Sequence, residues 1–151
     1  MDQARRDSLQ SLIRRLSLED LDSPTLLLEV ERAMTHTSSG RTDHNERLEF
    51  LGDAVLRLAA TLYLERRHPG LTVGDSSSLR AQLVSDRWLA ELGERIDIET
   101  CLLLGAKALG DAAARATIRA DATEALIGAL YRASGSLEPI LDWLTPHWQR
   151  T

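Results

Sequence analysis

The sequence predicts a single all-α domain, and three observations predict it. Apolar residues recur at the i, i+3, i+4, i+7 spacing of amphipathic helices in one segment after another. No segment alternates apolar and polar residues for long, so strand signals are nearly absent. Capping and helix-stopping residues punctuate the chain where helices would begin and end. At 151 residues the chain has the size of one domain and can bury a core. No repeat, long linker or composition shift marks a second unit, so residues 1–151 are expected to form one.

The elements follow in order. Leu9, Leu12, Ile13 and Leu16 give the first helix its apolar stripe. Ser23 and Pro24 read as an N-cap and first helical residue, opening a helix through Leu26–Met34. The polar stretch from Ser38 to Asn45, with Gly40, reads as a loop. From Glu46 to about Arg67 runs the longest helical pattern, with Leu48, Leu51, Val55, Leu58 and Leu62 on one broad face. His68-Pro69-Gly70 stops it. Asp43 with Glu46 resembles a capping box at its start. Leu79, Leu83 and Val84 belong to a shorter helix, and Ser85 caps the next, which carries Trp88, Leu89, Leu92 and Ile96. The small residues from Gly105 to Ala116 read as a loop. A helix is expected over Ile118 to Ala133, and Ser136 is expected to cap a last one, with Pro139 in its first turn and Ile140, Leu141 and Leu144 inward.

Composition bounds the function. With 43% hydrophobic and 27% charged residues the chain fits a soluble globular protein and not a disordered one. No apolar run approaches the roughly 18 residues of a membrane span. The N-terminus interleaves charge with Leu, unlike a signal peptide. Cys101 is the lone cysteine, so no internal disulfide calls for an oxidising compartment, and the cytoplasm is the expected location. The formal net charge of −5 weighs against nonspecific nucleic-acid binding. Yet all basic residues but Lys107 are Arg, whose forks suit phosphate oxygens, and carboxylates that hold a metal lower the net charge without excluding a basic rim.

The chemistry-bearing segment is His44 to Asp53. Glu46, Glu49 and Asp53 fall at i, i+3 and i+7, within an arc of about 60° on one helical face. Oxygen ligands grouped like this suit a hard cation such as Mg²⁺. Asp121 and Glu124 repeat the i, i+3 spacing on a later helix, and packing the two helices together would bring up to five carboxylates around one point. Spacing alone describes a solvated acidic face equally well. The positions four residues after Glu46, Glu49 and Asp53 hold Phe50, Asp53 and Arg57, so only the last has a basic partner. Around Asp121 and Glu124 the neighbours are Ala120, Ala122, Ala125 and Leu126, which suits partial burial.

Asn45 to Leu56, NERLEFLGDAVL, closely resembles the signature segment of the ribonuclease III family of double-stranded-RNA endonucleases. Ala33 to Ser38 looks like the family's A-L-T-H-x-S element, Gly74 to Ser85 is similar to its G-x-x-S-x-x-R-A-x-L-V-S element, and Ala120 to Tyr131 resembles its second acidic motif. The resemblance covers about residues 30 to 135, in order. It implies a helical ribonuclease III-like endonuclease domain acting as a homodimer on double-stranded RNA. Glu49, Asp53, Asp121 and Glu124 would be the core metal-binding carboxylates and Glu46 a supporting one, with Mg²⁺ as cofactor and Mn²⁺ as a substitute. Phosphodiester hydrolysis would then need no histidine or nucleophilic side chain. The products implied are 5′-phosphate and 3′-hydroxyl ends with two-nucleotide 3′ overhangs, with structured precursors such as ribosomal RNA as substrates. Phe50, the aromatic after the second glutamate, corresponds to the family's dimer "ball"; an ordinary core role is its alternative. Arg80, within a family-like element, is a candidate phosphate contact.

Two departures stand out. Val73 occupies a position where family members often carry another glutamate, which weakens a second or assisting metal unless Asp75 covers for it. The chain also ends soon after its last helix, with no room for the family's C-terminal double-stranded-RNA-binding domain, so a short form or a shortened chain is expected. The alternative function is a catalytically silent, dimerising RNA- or ribonucleoprotein-binding module; a third is a nuclease subunit that works with a separate RNA-binding partner protein. Other features carry less: His36 reads as a structural hydrogen-bonder, Cys101 as a buried small residue, and Trp88, Trp143 and Trp148 as packing residues.

Overall fold

The computed structural model describes residues 1–151, the side chain of Leu109 excepted. Eight helices carry the chain: α1 (Gln3–Arg15), α2 (Pro24–Ala33), α3 (Glu46–Arg67), α4 (Val73–Leu83), α5 (Asp86–Arg95), α6 (Ala106–Leu109), α7 (Ala112–Ser134) and α8 (Glu138–Gln149). Among the described residues the β-pairing is one isolated parallel bridge, Thr35 to Leu103. The fold is all-α.

Local chemistry sets most boundaries as expected. The Ser23 hydroxyl accepts from Leu26 N–H with Pro24 in the first turn of α2, and the Ser85 hydroxyl accepts from Trp88 N–H at the start of α5. Each satisfies a backbone donor that a helix N-terminus would otherwise leave open. The first helix buries Leu9, Leu12, Ile13 and Leu16, and α8 buries Ile140, Leu141 and Leu144.

Four expectations need correction. The capping box at α3 does not form: Asp43 takes the Arg32 guanidinium at 2.6 Å, and Glu46 stays exposed. Asn45 begins the helix instead, and its side-chain amide donates to Ala33 O at 3.2 Å, tying the end of α2 to the start of α3. Leu58 is 52% exposed; α3 buries Leu48, Val55, Leu56, Ala59 and Tyr63, the face that follows Gly52. The stretch from Gly105 to Ala116 is largely helical, holding α6 and the first turn of α7. Its alanines are strong helix formers, and Asp111 caps α7 by accepting from Ala113 and Ala114 N–H. Ser136 caps nothing: Leu137 holds the cap position of α8, and Ser136 N–H donates back to Ser134 Oγ.

The long helix α7 runs through the middle. From Ala125 to Leu130 every residue is buried, as befits a helix enclosed on all sides. It packs most extensively on α3, then on α5 and α2. The three tryptophans close the far end as packing residues; Trp148 Nε1 donates to Leu83 O at 3.1 Å, and Trp88 stacks against Trp148.

Candidate active site

The crossing of α3 and α7 brings the two acidic motifs together. Gly52 and Gly128 form the contact: a Cβ on Gly52 would overlap the Glu124 carbonyl, and one on Gly128 would overlap the Leu48 carbonyl. Glycine in a helix interior costs about 1 kcal/mol against alanine, and here it lets two backbones touch at the level of the carboxylates. Glu49 and Asp53 leave α3 there, and Asp121 and Glu124 leave α7; all four are half-buried. Glu46, Glu49, Asp53 and Glu124 line an open cleft of about 910 Å³ together with Phe50 and Arg132.

The electrostatics are those of acids crowded with few cations. Glu49 and Asp121 face each other closely enough to shift one another's acidity. Burial pushes the Glu49 carboxyl up to about 7, with the Asp121, Asp86 and Glu46 charges adding to it. Burial pushes Glu124 up further, to about 8, helped by Asp53, Glu49, Asp121 and Asp86. Asp121 is raised, again chiefly by burial; the neighbouring Glu49 and His36 pull it back, while Asp86 adds to the rise. Asp53 has a basic partner: Arg57 Nε lies 3.3 Å from both of its oxygens.

Asp86 belongs to this group and was not singled out from the sequence. It sits in the first turn of α5, and its only sequence signal is a position after the Ser85 cap. Other residues lie elsewhere. Val73 is 88% exposed in the first turn of α4. It lines a separate groove between α3 and α4 with Arg80, whose guanidinium donates to Thr61 Oγ1 at 3.0 Å. Asp75 is exposed on that same first turn, outside the acidic cleft. Phe50 is 85% exposed, so it is not a core residue of the single chain.

Among the described residues, no three His, Cys, Asp or Glu side chains are drawn together closely enough to hold a metal ion as they stand. The donor chemistry nevertheless fits a hard divalent cation: four half-buried carboxylates, oxygen donors throughout, with Arg57 the one basic side chain paired to them. Without a cation such acids relieve their repulsion by keeping protons, which is what the raised Glu49, Asp121 and Glu124 express.

Known proteins resemble this chain in sequence and in fold. Residues 27–139 match the family described as Ribonuclease-III-like. The chain is 56% identical over 119 residues to the Ribonuclease 3 of Prochlorococcus marinus, covering 79% of this chain and 48% of that protein. The nuclease domain of ribonuclease III from Campylobacter jejuni superposes with a TM-score of 0.81 at 30% identity, covering 93% of each chain. A second structure of that domain, described as showing structural flexibility in a region involved in dimer formation, gives 0.79 at 30% identity over 91% of this chain and 96% of that one. The chain spans about half the length of the curated relatives it matches, 48% and 50% for two of them.

Proposed function

The chain belongs to the ribonuclease-III-like family, and from that premise we propose that it is a divalent-cation-dependent endoribonuclease that cuts double-stranded RNA. The observation that carries the reading is the meeting of half-buried Glu49 and Asp53 on α3 with half-buried Asp121 and Glu124 on α7, where burial raises Glu49, Asp121 and Glu124. These four would hold the cation, Mg²⁺ with Mn²⁺ as substitute, and Glu46 at the cleft wall would support them. Once held, the cation would supply an activated water and positive charge against the phosphate.

The chain's own residues do the rest. Ligation needs ionised carboxylates, so Glu49 and Glu124 would give up their protons to hold the cation. Arg57 pairs with Asp53 at 3.3 Å and orients its carboxylate. The half-buried setting limits the water around the acids, which strengthens their hold on charge. The expected products carry 5′-phosphate and 3′-hydroxyl ends.

The dimer belongs to the same proposal. Phe50 stands in solvent on α3 beside the cleft, and a second copy covering it would set two cleavage sites near one duplex. Two such sites account for staggered, two-nucleotide 3′ overhangs. The wide minor groove of duplex RNA favours recognition by shape, with structured ribosomal RNA as the natural substrate class and Arg80 as a phosphate contact. Among the described residues, no helix is long and apolar enough to cross a membrane.

The test is cleavage of end-labelled duplex RNA at low salt, with and without Mg²⁺, beside Glu124→Gln. Metal-dependent cutting to staggered ends, lost in the variant, is the expected result. Binding without cutting, where a control nuclease is active, would instead make the chain a silent RNA-binding module. Cutting that appears only with an added RNA-binding protein would make it a subunit.

A further inference from the structure

Arg57 stands one helical turn beyond Asp53 on α3, and its Nε–H is shared between the two Asp53 oxygens, each at 3.3 Å. Charge-assisted pairs of this kind close to about 2.7–2.9 Å, so the contact is loose. Both side chains stand largely in solvent, 56% and 50% exposed, where an ion pair adds little stability. Among the described residues Asp53 is the only ion-pair partner of Arg57. A guanidinium held this weakly, on a carboxylate at the edge of the acidic cleft, is free to change partner.

The next turn of α3 supplies a second cation in line with it. The Thr61 hydroxyl donates to Arg57 O at 2.8 Å and accepts from the Arg80 guanidinium at 3.0 Å. Asp53, Arg57 and Thr61 with Arg80 therefore follow one another at four-residue steps along one side of α3, each a rise of about 6 Å. Arg57 lies between the carboxylates and Arg80. A nucleic-acid strand carries a negative charge at every nucleotide, so a strand with one phosphate at the carboxylates and its neighbours along α3 would pass Arg57 first and Arg80 next.

We propose that Arg57 is a substrate-positioning residue that exchanges partners: it holds Asp53 while the carboxylates carry no cation, gives Asp53 up when they do, and then neutralises an RNA phosphate flanking the one to be cut. The inference rests on the cation site and the RNA substrate proposed above. Charge sets the direction of the exchange. An Asp53 carboxylate engaged with a divalent cation attracts the guanidinium less, and the two cations repel each other. A phosphate at the cleft edge offers the Arg fork a better-matched anion. Arg80 stays on Thr61 and supplies the following positive charge.

The test compares the full wild-type chain with Arg57→Gln and Arg57→Lys. The first readout is the dissociation constant of Mn²⁺ alone, taken from the electron paramagnetic resonance of the free ion. Arg57→Gln is expected to bind Mn²⁺ roughly 2- to 5-fold more tightly, the worth of an exposed pair, because Asp53 has lost a competitor. The second readout is KM for duplex RNA at saturating Mg²⁺, followed over a range of salt. Arg57→Gln should raise KM roughly 10-fold at low salt and lower the slope of log KM against log salt by about one. Arg57→Lys, which keeps the charge, should restore the slope. Weaker Mn²⁺ binding in Arg57→Gln would overturn the proposal, because Arg57 would then be a permanent brace for Asp53. So would a KM and a salt slope equal to wild type. A raised KM that follows a weakened dimer in sedimentation would also overturn it, placing Arg57 in the contact between copies. If the wild-type chain binds no Mn²⁺, the cation site fails first and the exchange with it; Mn²⁺ binding in wild type without tightening in Arg57→Gln defeats this inference alone.

Discussion

Replacing Glu124 with Gln should stabilise the metal-free protein in alkaline solution and change little in acid. Folding raises this carboxyl from its ordinary 4.5 to about 8, so between those values the folded state binds a proton that the unfolded state has released. Stability is then lost as pH rises through that window, and the loss is complete above about 8. At about 1.4 kcal/mol per pKa unit the whole displacement corresponds to roughly 5 kcal/mol. The side chain is only half-buried, and solvent screening reduces the expected gain to about 2 kcal/mol. In a domain of this size that amounts to about 4–8 °C in melting temperature. The assay is urea unfolding with a chelator present, at pH 5 and pH 8.5, for wild type and Glu124→Gln. Wild type should weaken between the two pH values more than the variant does. A variant equally destabilised at both would refute the reasoning, because it would mean the ionised carboxylate stabilises the fold.

Four other outcomes follow from the same structure. Mg²⁺ affinity, measured by calorimetry, should rise from pH 6 to pH 8 with proton release on binding, because the raised Glu49 and Glu124 must ionise to ligate; pH-independent affinity would contradict this. Gly128→Ala should cost about 3 kcal/mol in denaturant unfolding, the upper range for overpacking, since its Cβ would overlap the Leu48 carbonyl; a neutral result would disprove the tight crossing. Phe50→Ala should leave protomer stability within about 0.5 kcal/mol, as for an exposed side chain, while raising the dimer dissociation constant on the order of 30-fold by sedimentation. A loss of several kcal/mol in stability would restore Phe50 to a core role. Val73→Glu should be neutral or stabilise by up to about 1 kcal/mol, because it adds a carboxylate to the first turn of α4 where the helix dipole favours it.

What the sequence made legible is the part that local pattern encodes. The ends of α3 follow from its apolar period and the His68-Pro69-Gly70 stop, and the Ser23 and Ser85 caps need only their own turns. The candidate acidic site was legible in part: helical spacing grouped the carboxylates on each helix, and the resemblance to the ribonuclease III motifs singled them out from an ordinary acidic face. Tertiary competition decided the rest. Asp43 reads as a capping partner of Glu46 until Arg32, eleven residues earlier, takes it. Leu58 fits the apolar period of α3, but the helix is turned so that Gly52 meets α7, and Leu58 faces solvent. The alanines after Asp111 have no apolar period, so only their helix propensity and the Asp111 cap could have shown the start of α7. Asp86 had only its place after the Ser85 cap as a signal, because its nearness to Glu49 and Asp121 arises only when α5 docks on α7.

The central claim is that carboxylates from α3 and α7 jointly hold a divalent cation, and the most direct measurement is an anomalous difference map from crystals of this chain grown with Mn²⁺. The account predicts a peak ligated by oxygens drawn from both pairs, Glu49 and Asp53 with Asp121 and Glu124, and its loss in Glu124→Gln crystals. A peak held by residues of one helix only, or density at another face with none between α3 and α7, would contradict it.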